Sequence, residues 1–374
     1  MLLLSLIESD LPIKLIIFIA LFCFAVCGLF FISHFSSILI QRREAEIQSI
    51  RDDRESLLVR LLFDANSEVF NDEIHAIYEE FKSIGKENRL GKRQRKLLRQ
   101  LMIDEMLTMK KNLSGVGVDD LYKLYEKFGL YEDSYKKLTS KKYQLIVMGI
   151  RELSEMNCKT YYRSIYKWTN HPQEDVRIEA QVAIVRLFGV KGLRFLSRVT
   201  YTISEWQQMT LLHLLNNMKN EKPQGIAKWL DSKNDSVIIF SLRLANKYNC
   251  FELLEKIQHF LHHSNDSVKI QSVYCLRNIY NESTELQLMA YYQIGSKSVK
   301  MEILDVLQSL STDLSIPLLY NHLFDNDLEI RFSVLRVLHK LCESIDIINA
   351  AVNEPEIRDS IILILEQIKS EERR

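Results

Sequence analysis

HPQEDVRIEAQVAI, running from His171 to Ile184, decides the fold, because its pattern returns about every 31 residues. Val176 in this stretch belongs to an apolar column made of Leu145, Val176, Trp206, Val237, Val268, Val299 and Ile330. The successive steps are 31, 30, 31, 31, 31 and 31 residues, and a last step of 27 reaches Ile357. Fixed self-similarity on this scale marks a repeat architecture, in which each unit is one supersecondary element. A second column lies eleven residues earlier, at Ile165, Phe195, Ile226, Ile257, Leu288 and Leu319. A third lies eight residues later, at Leu153, Ile184, Leu214, Ala245, Leu276, Leu307, Leu338 and Leu365. Four residues after the anchor the side chain is often small: Gly149, Ala180, Thr210, Ser241 and Ser272. Offsets of four and eight stay on one face of a helix with 3.6 residues per turn. Each unit therefore reads as helix, short turn, helix, with the small residue letting a neighbour approach.

Turn chemistry sits where this reading needs it, in Asn170-His171-Pro172, Ser232-Lys233-Asn234-Asp235, Ser264-Asn265-Asp266 and Asp325-Asn326-Asp327. Asn, Asp and Ser there accept hydrogen bonds from the unpaired amides that open the next helix. The acidic turn followed by Val-Arg and a spaced Ala in HPQEDVRIEAQVAI resembles the second-helix motif of HEAT repeats. NDSVKIQSVYCL (265–276), SKSVKMEILDVL (296–307) and DLEIRFSVLRVL (327–338) carry the same pattern. Trp206-Gln207 and Val237-Ile238 lack the basic residue and match by period alone. The expected fold is all-α: an α-solenoid of two-helix HEAT-like units over residues 115–374. HEAT arrays serve scaffolds, transport receptors and enzyme subunits alike, so the resemblance implies a fold and not a function.

Ahead of the array, Leu15 to Ile32 form an unbroken run without charge. At about 1.5 Å per residue it matches the thickness of a hydrocarbon core. Glu8 and Asp10 precede it with only Lys14, and no small-x-small pattern follows, which favours a retained anchor over a signal peptide. Arg42, Arg43, Arg51 and Arg54 follow the run, and basic residues stay in the cytoplasm. The expected layout is a short extracytoplasmic N-terminus (1–10), one transmembrane helix (11–35), a helical juxtamembrane region (36–114) and a cytoplasmic solenoid. The chain would then be a single-pass protein of the cell (inner) membrane. The stretch LYEKFGLYEDSYKKLTSKKYQLIVMGIRELSEM (124–156) resembles the entry to the array in membrane-anchored HEAT-repeat proteins of Bacteroidota-type bacteria. That resemblance implies a companion of a surface-polysaccharide glycosyltransferase system.

Charge is balanced, with 49 basic and 49 acidic residues, which gives no reason to expect nucleic-acid binding. Asp64 to Glu80 hold six acids, and Lys82 to Arg99 hold eight bases without interleaved aromatics. The basic block is read as a solvated face that pairs with the acids, with contact to anionic lipid as the alternative. The six cysteines contain no Cys-x-x-Cys pair and read as reduced packing residues, so no cofactor is expected. His259, His262, His263 and Asp266 are the one ligand-like cluster, but Phe260 and Leu261 occupy the core positions there and put the histidines outward. No catalytic residue and no metal ligand is assigned. One column is a candidate surface for a protein partner: the residue after the anchor, Arg177, Lys269, Lys300, Arg331 and Arg358. The alternative for that column is an internal ladder of ion pairs. The function these features favour is a non-catalytic, membrane-tethered scaffold. The alternative is an enzyme or an enzyme's regulatory subunit, such as a lyase-like HEAT protein that handles a cofactor.

The topology is directly testable. A reporter active only in the cytoplasm, fused after Arg374, is expected to be active in cells that contain the full-length fusion. A silent reporter on an intact fusion reverses the orientation.

Overall fold

Offsets of three, four, seven and eight between apolar residues dictate helices, and helices are what form. The computed structural model describes residues 92–112, 116–216, 221–352 and 355–372, and no strand occurs among them. The apolar run and the expected span at 11–35 lie outside the described residues. No described helix is long and apolar enough to cross a membrane. The chain divides into two units, residues 1–133 and 134–374.

In the first unit, α1 (Lys92–Asn112) and α2 (Val116–Lys127) pack together around Ile103, Met106, Leu121 and Tyr125. Arg99, the last residue of the basic block, donates to Asp133 at 2.5 Å and to the carbonyls of Phe128 and Gly129 at 3.2 and 2.8 Å. Lys92, Arg95 and Lys96 of the same block are exposed. The helix α3 (Tyr131–Leu138) carries the division between the units.

The second unit is the repeat array. Its second helices are α4 (Tyr143–Glu155), α6 (Glu174–Phe188), α7 (Glu205–Asn216), α9 (Asp235–Lys247), α11 (Asp266–Leu276), α13 (Lys297–Leu310), α15 (Leu328–Leu341) and α17 (Pro355–Glu372). Its first helices are shorter: α5 (Tyr162–Tyr166), a 3₁₀ run at Gly189–Ser197, α8 (Ile226–Trp229), α10 (Leu254–His259), α12 (Thr284–Ile294), α14 (Ile316–Asn321) and α16 (Ser344–Ala350). Val176, Val237, Val268 and Val299 have no exposed surface, and Ile330 is nearly as buried. The column eleven residues earlier is buried in all six units. From Phe195 onward these residues belong to one continuous apolar cluster that runs from Val182 to Ile368. Leu145 and Ile357 are half-buried, and Ile146 is buried beside the former.

The small column works as steric room. A Cβ on Gly149 would stand 2.6 Å from the backbone nitrogen of Leu138 and 2.6 Å from the carbonyl oxygen of Ser134. The Ser272 hydroxyl donates 2.6 Å to the carbonyl of Ile257, so the anchor helix meets its own first helix there. Three of the four expected turns cap as read. Asn234, Asn265 and Asp327 accept from the amides of Ser236, Ser267 and Glu329 at 3.1, 2.9 and 3.0 Å. Asn170 is used differently, accepting from the backbone and hydroxyl of Thr200 in the next turn. Asn157 and Asn249, twelve residues after their anchors, both take a left-handed conformation (φ 53° and 48°), which Asn tolerates at a helix C-terminus.

One unit departs from the register. Trp206 is 66% exposed, and Leu214 and Thr210 are only half-buried. Gln207, Leu211 and Leu215 take the buried places, so the 30-residue step lies between Gln207 and Val237 and not between Val176 and Trp206. A buried glutamine at an apolar station needs a partner. Gln207 donates to the Gln181 carbonyl oxygen, and Gln181 in turn donates 2.7 Å to the carbonyl of Thr169. This buried polar chain fixes the register that hydrophobicity alone would have set one residue earlier, at the tryptophan.

The register is open to mutation. Val268→Ala leaves a cavity in the stack and is expected to cost about 2–3 kcal/mol. Lys269→Ala removes only the partly exposed pair with Asp266, at 2.8 Å, and is expected to cost under about 1 kcal/mol. Urea unfolding midpoints of the full-length variants measure both. Equal midpoints would mean that the 31-residue column is not the core.

Candidate functional site

The basic column one residue after the anchor divides into two kinds. Arg177 and Arg331 fold back over the turns that precede their helices and are 7% and 8% exposed. Arg177 donates to the carbonyls of His171 and Pro172 at 2.9 and 3.2 Å and stacks 4.4 Å from the Tyr201 ring. Arg331 donates to the carbonyl of Asp325 at 3.1 Å and to the Ser360 hydroxyl at 3.2 Å in the next unit. A planar guanidinium with five donors suits this bracing of turn carbonyls. Lys269 pairs with Asp266, Lys300 sits 5.4 Å from the centre of the Tyr292 ring, and Arg358 is exposed. The column thus does not form one continuous open surface: two of its five members hold turns in place.

The feature that sequence reasoning missed lies where the register slips. Successive second helices pack directly on one another along the array, but α7 and α9 touch only marginally. The gap is a cleft of about 1100 Å³, lined by the turn before α7, the turn before α9 and the facing sides of α7, α9 and α11. Most of the residues that line it are polar, among Val199, Ile203, Ile239 and Ile270. The Ser236 hydroxyl accepts from the Ile203 amide at 2.9 Å and donates to Asn234 Oδ1 at 2.7 Å, which ties the turn before α7 to the turn before α9. Arg243 spans it, donating through Nη2 to Glu205 at 2.8 Å and through Nε to Gln271 at 2.9 Å. Asn265 donates 2.7 Å to Asp235. Gln208, 3% exposed, donates to the carbonyls of Ile203 and Ser236 at 3.1 and 3.4 Å.

Two atoms in these walls are buried without a hydrogen-bond partner among the described residues: Gln208 Oε1 and Arg243 Nη1. Trp206 and Met209, three residues apart on α7, are exposed, and Glu205 and Gln208 of the same helix line the cleft. The sequence does carry a trace of this site. The unit at Trp206-Gln207 lacks the basic residue, as the next unit does, and its turn, Thr200-Tyr201-Thr202-Ile203-Ser204, lacks the Asn or Asp found at Asn170, Asn234, Asn265 and Asp327.

The remaining candidates are placed as follows. His259 and His262 are exposed, and Phe260 and Leu261 beside them are buried, as the repeat register requires. The His262 ring packs edge-on against Tyr291 at 4.4 Å, and His263 Nδ1 accepts from the Asn265 amide at 3.1 Å. No group of three His, Cys, Asp or Glu among the described residues is arranged to hold a metal. Cys250 and Cys275 are fully buried, and Cys158 and Cys342 half-buried. Burial pushes the Cys275 thiol up to about 12, so it packs and donates 3.2 Å to the carbonyl of Leu242.

No model of a known protein family matches this chain, and no curated protein does. Solved helical-repeat structures are similar to it at low identity. An engineered protein is 15% identical, covering 83% of this chain and 98% of its own, with a TM-score of 0.36. A designed armadillo repeat protein is 15% identical, covering 56% and 98%, with a TM-score of 0.30. Human deoxyhypusine hydroxylase, solved with glycerol, is 12% identical, covering 81% and 100%, with a TM-score of 0.27. Scores this low add nothing to what the helices themselves establish.

The two kinds of column residue are separable by mutation. Arg177→Ala strips the donor from two turn carbonyls and is expected to cost about 1–3 kcal/mol. Arg177→Lys is not expected to restore this, because an ammonium cannot reproduce the planar fork. Arg358→Ala, at an exposed site, is expected within about 0.5 kcal/mol of the parent. Urea midpoints read all three, and an Arg177→Ala variant as stable as the parent would return that residue to the surface column.

Proposed function

We propose that this chain is a non-catalytic scaffold whose solenoid binds a protein partner at the cleft between α7 and α9. The observation that carries the reading is the cleft itself, an interruption in the stack of second helices, beside a helix, α7, that also exposes a tryptophan and a methionine. Trp and Met are enriched at protein interfaces, and Trp is a frequent hot spot. The absence of a catalytic role is supported by what lines the walls. They contain no His or Cys, and the two carboxylates are engaged, Glu205 by Arg243 and Asp235 by Asn265. The near-neutral charge of the chain weighs against nucleic acid as the partner. The uncharged run within 11–35 and its basic exit side support tethering to the cell membrane with the solenoid in the cytoplasm. The resemblance of the 124–156 stretch supports a partner within a surface-polysaccharide glycosyltransferase system.

The test is proximity cross-linking in cells with full-length parent and Trp206→Ala. Trp206 is mostly exposed, so its loss is expected to leave the urea midpoint within about 0.5 kcal/mol of the parent. Loss of an interface hot spot costs about 2 kcal/mol or more, roughly a thirtyfold fall in affinity. The expected result is a cross-linked protein recovered with the parent and lost with Trp206→Ala. An identical set of cross-links from both proteins would sink the reading.

A further inference from the structure

We propose that two copies of this chain associate through their first helices in antiparallel order, about a two-fold axis at α10. The inference does not depend on the cleft. The seven first helices form a row, each packed on the second helix of its own unit. Charge is segregated along that row, although the chain as a whole is neutral. The first three segments, 158–173, 188–204 and 221–233, hold nine bases and two acids. The last three, 278–296, 310–327 and 341–352, hold seven acids and neither Lys nor Arg. The bases are Lys159, Arg163 and Lys167 in the first segment, Lys191, Arg194 and Arg198 in the second, and Lys222, Lys228 and Lys233 in the third. All nine are exposed, and among the described residues only Lys222 has an ion pair, with Glu252. Glu282, Asp313, Glu343 and Asp346 are likewise exposed and without an ion pair among the described residues.

Apolar exposure follows the acids. Tyr280, Leu286, Ile294, Leu314, Ile345 and Val352 all lie in the three acidic segments, and each is more than half exposed. No large apolar residue of the basic segments reaches that exposure among the described residues. A concentration of exposed apolar side chains marks an interaction surface. Lys and Arg suit it as a cover, because their aliphatic stems lie on apolar surface while the charge stays in water. The order of the row then supplies the partner. The helix α10 is the fourth of seven, with the basic segments before it and the acidic segments after it. A two-fold axis there sets α5 opposite α16 of the second copy, the 3₁₀ run opposite α14, and α8 opposite α12. Every basic segment faces an acidic one, each such contact occurs twice, and the assembly closes as a dimer. An anionic membrane surface would attract the first half of the same row and repel the second.

The test is sedimentation of the full-length protein in a neutral detergent. The parent is expected to form a dimer at about 0.05 M salt and to self-associate about tenfold or more weakly at about 0.5 M, where exposed charges are screened. One variant carries Arg163→Glu, Arg194→Glu and Lys228→Glu, and a second carries Glu282→Lys, Asp313→Lys and Asp346→Lys. All six positions are exposed, so both variants are expected to keep the urea midpoint of the parent. Each alone is expected to lose about tenfold or more in self-association. Their equimolar mixture is expected to dimerise again, because one row is then acidic throughout and the other basic throughout. Misfolded variants could not restore each other in this way. A parent that stays monomeric at low salt overturns the proposal. So does association that neither variant weakens, or that the mixture fails to restore. Growth beyond the dimer overturns the two-fold arrangement. A monomeric parent that binds vesicles of phosphatidylcholine and phosphatidylserine, with binding lost only in the first variant, assigns the basic segments to a lipid surface and overturns the dimer.

Discussion

A two-helix unit of about thirty residues has more apolar surface than it can cover alone, and everything else in this molecule answers to that constraint. The anchors face one neighbour and the column eleven residues earlier faces the helical partner, so no unit closes its own core. Each fully buried aliphatic side chain is worth about 1.5–3 kcal/mol. Stacking collects that energy unit by unit, and nearest-neighbour contacts of this kind make stability a sum along the array. The short first helices follow from the same constraint. The run at 254–262 is a single turn or two of α-helix continued as 3₁₀, because only the stations at Ile257, Phe260 and Leu261 need to reach the core.

Once the apolar faces are committed, the turns must satisfy their own backbone. Here the array uses polar side chains sparingly and repeatedly. Asn234 caps its helix and also donates 2.9 Å to the carbonyl of Tyr201 in the preceding turn. Asn265 caps its helix and donates to Asp235. Lys297 meets Asp327 at 2.6 Å across the next junction, where the ammonium holds the Asp327 carboxyl below its ordinary range. Arg177 and Arg331 brace carbonyls from within. The bonds from Asn234 to Tyr201, from Asn265 to Asp235 and from Lys297 to Asp327 run between positions about thirty residues apart, so they register one unit on the next without spending apolar surface.

Most of this was legible in the sequence because it depends on period. Val237, Val268, Val299 and Ile330 could be placed from spacing alone, and so could Ile257 and Leu288. Asn234, Asn265 and Asp327 were readable as caps because helix starts demand oxygen acceptors. Two things were not legible. Tryptophan at 206 looks like the best anchor in its unit by hydrophobicity, and only the hydrogen bond from Gln207 to Gln181 shows why a glutamine holds that place. Pairwise complementarity between residues twenty-six apart leaves no local pattern. The basic column was visible, but spacing could not say that Arg177 curls back onto its own turn while Arg358 stays in solvent. The cleft followed from the slip, and so it was hidden with it.

The displaced register has the character of a dislocation in a crystal. One residue lost inside a helix would turn its face by about 100°, yet Val237, Ser241 and Ala245 still take the buried stations of the following helix. The mismatch is not spread along the array: by Val237 the spacing is regular again, and it stays regular to Ile330. A defect confined in this way leaves a step edge at one place, with the regular row resuming beyond it. Such edges are where a growing crystal takes up foreign molecules, and this one marks a place on the solenoid that the regular row from Val237 to Ile330 does not repeat.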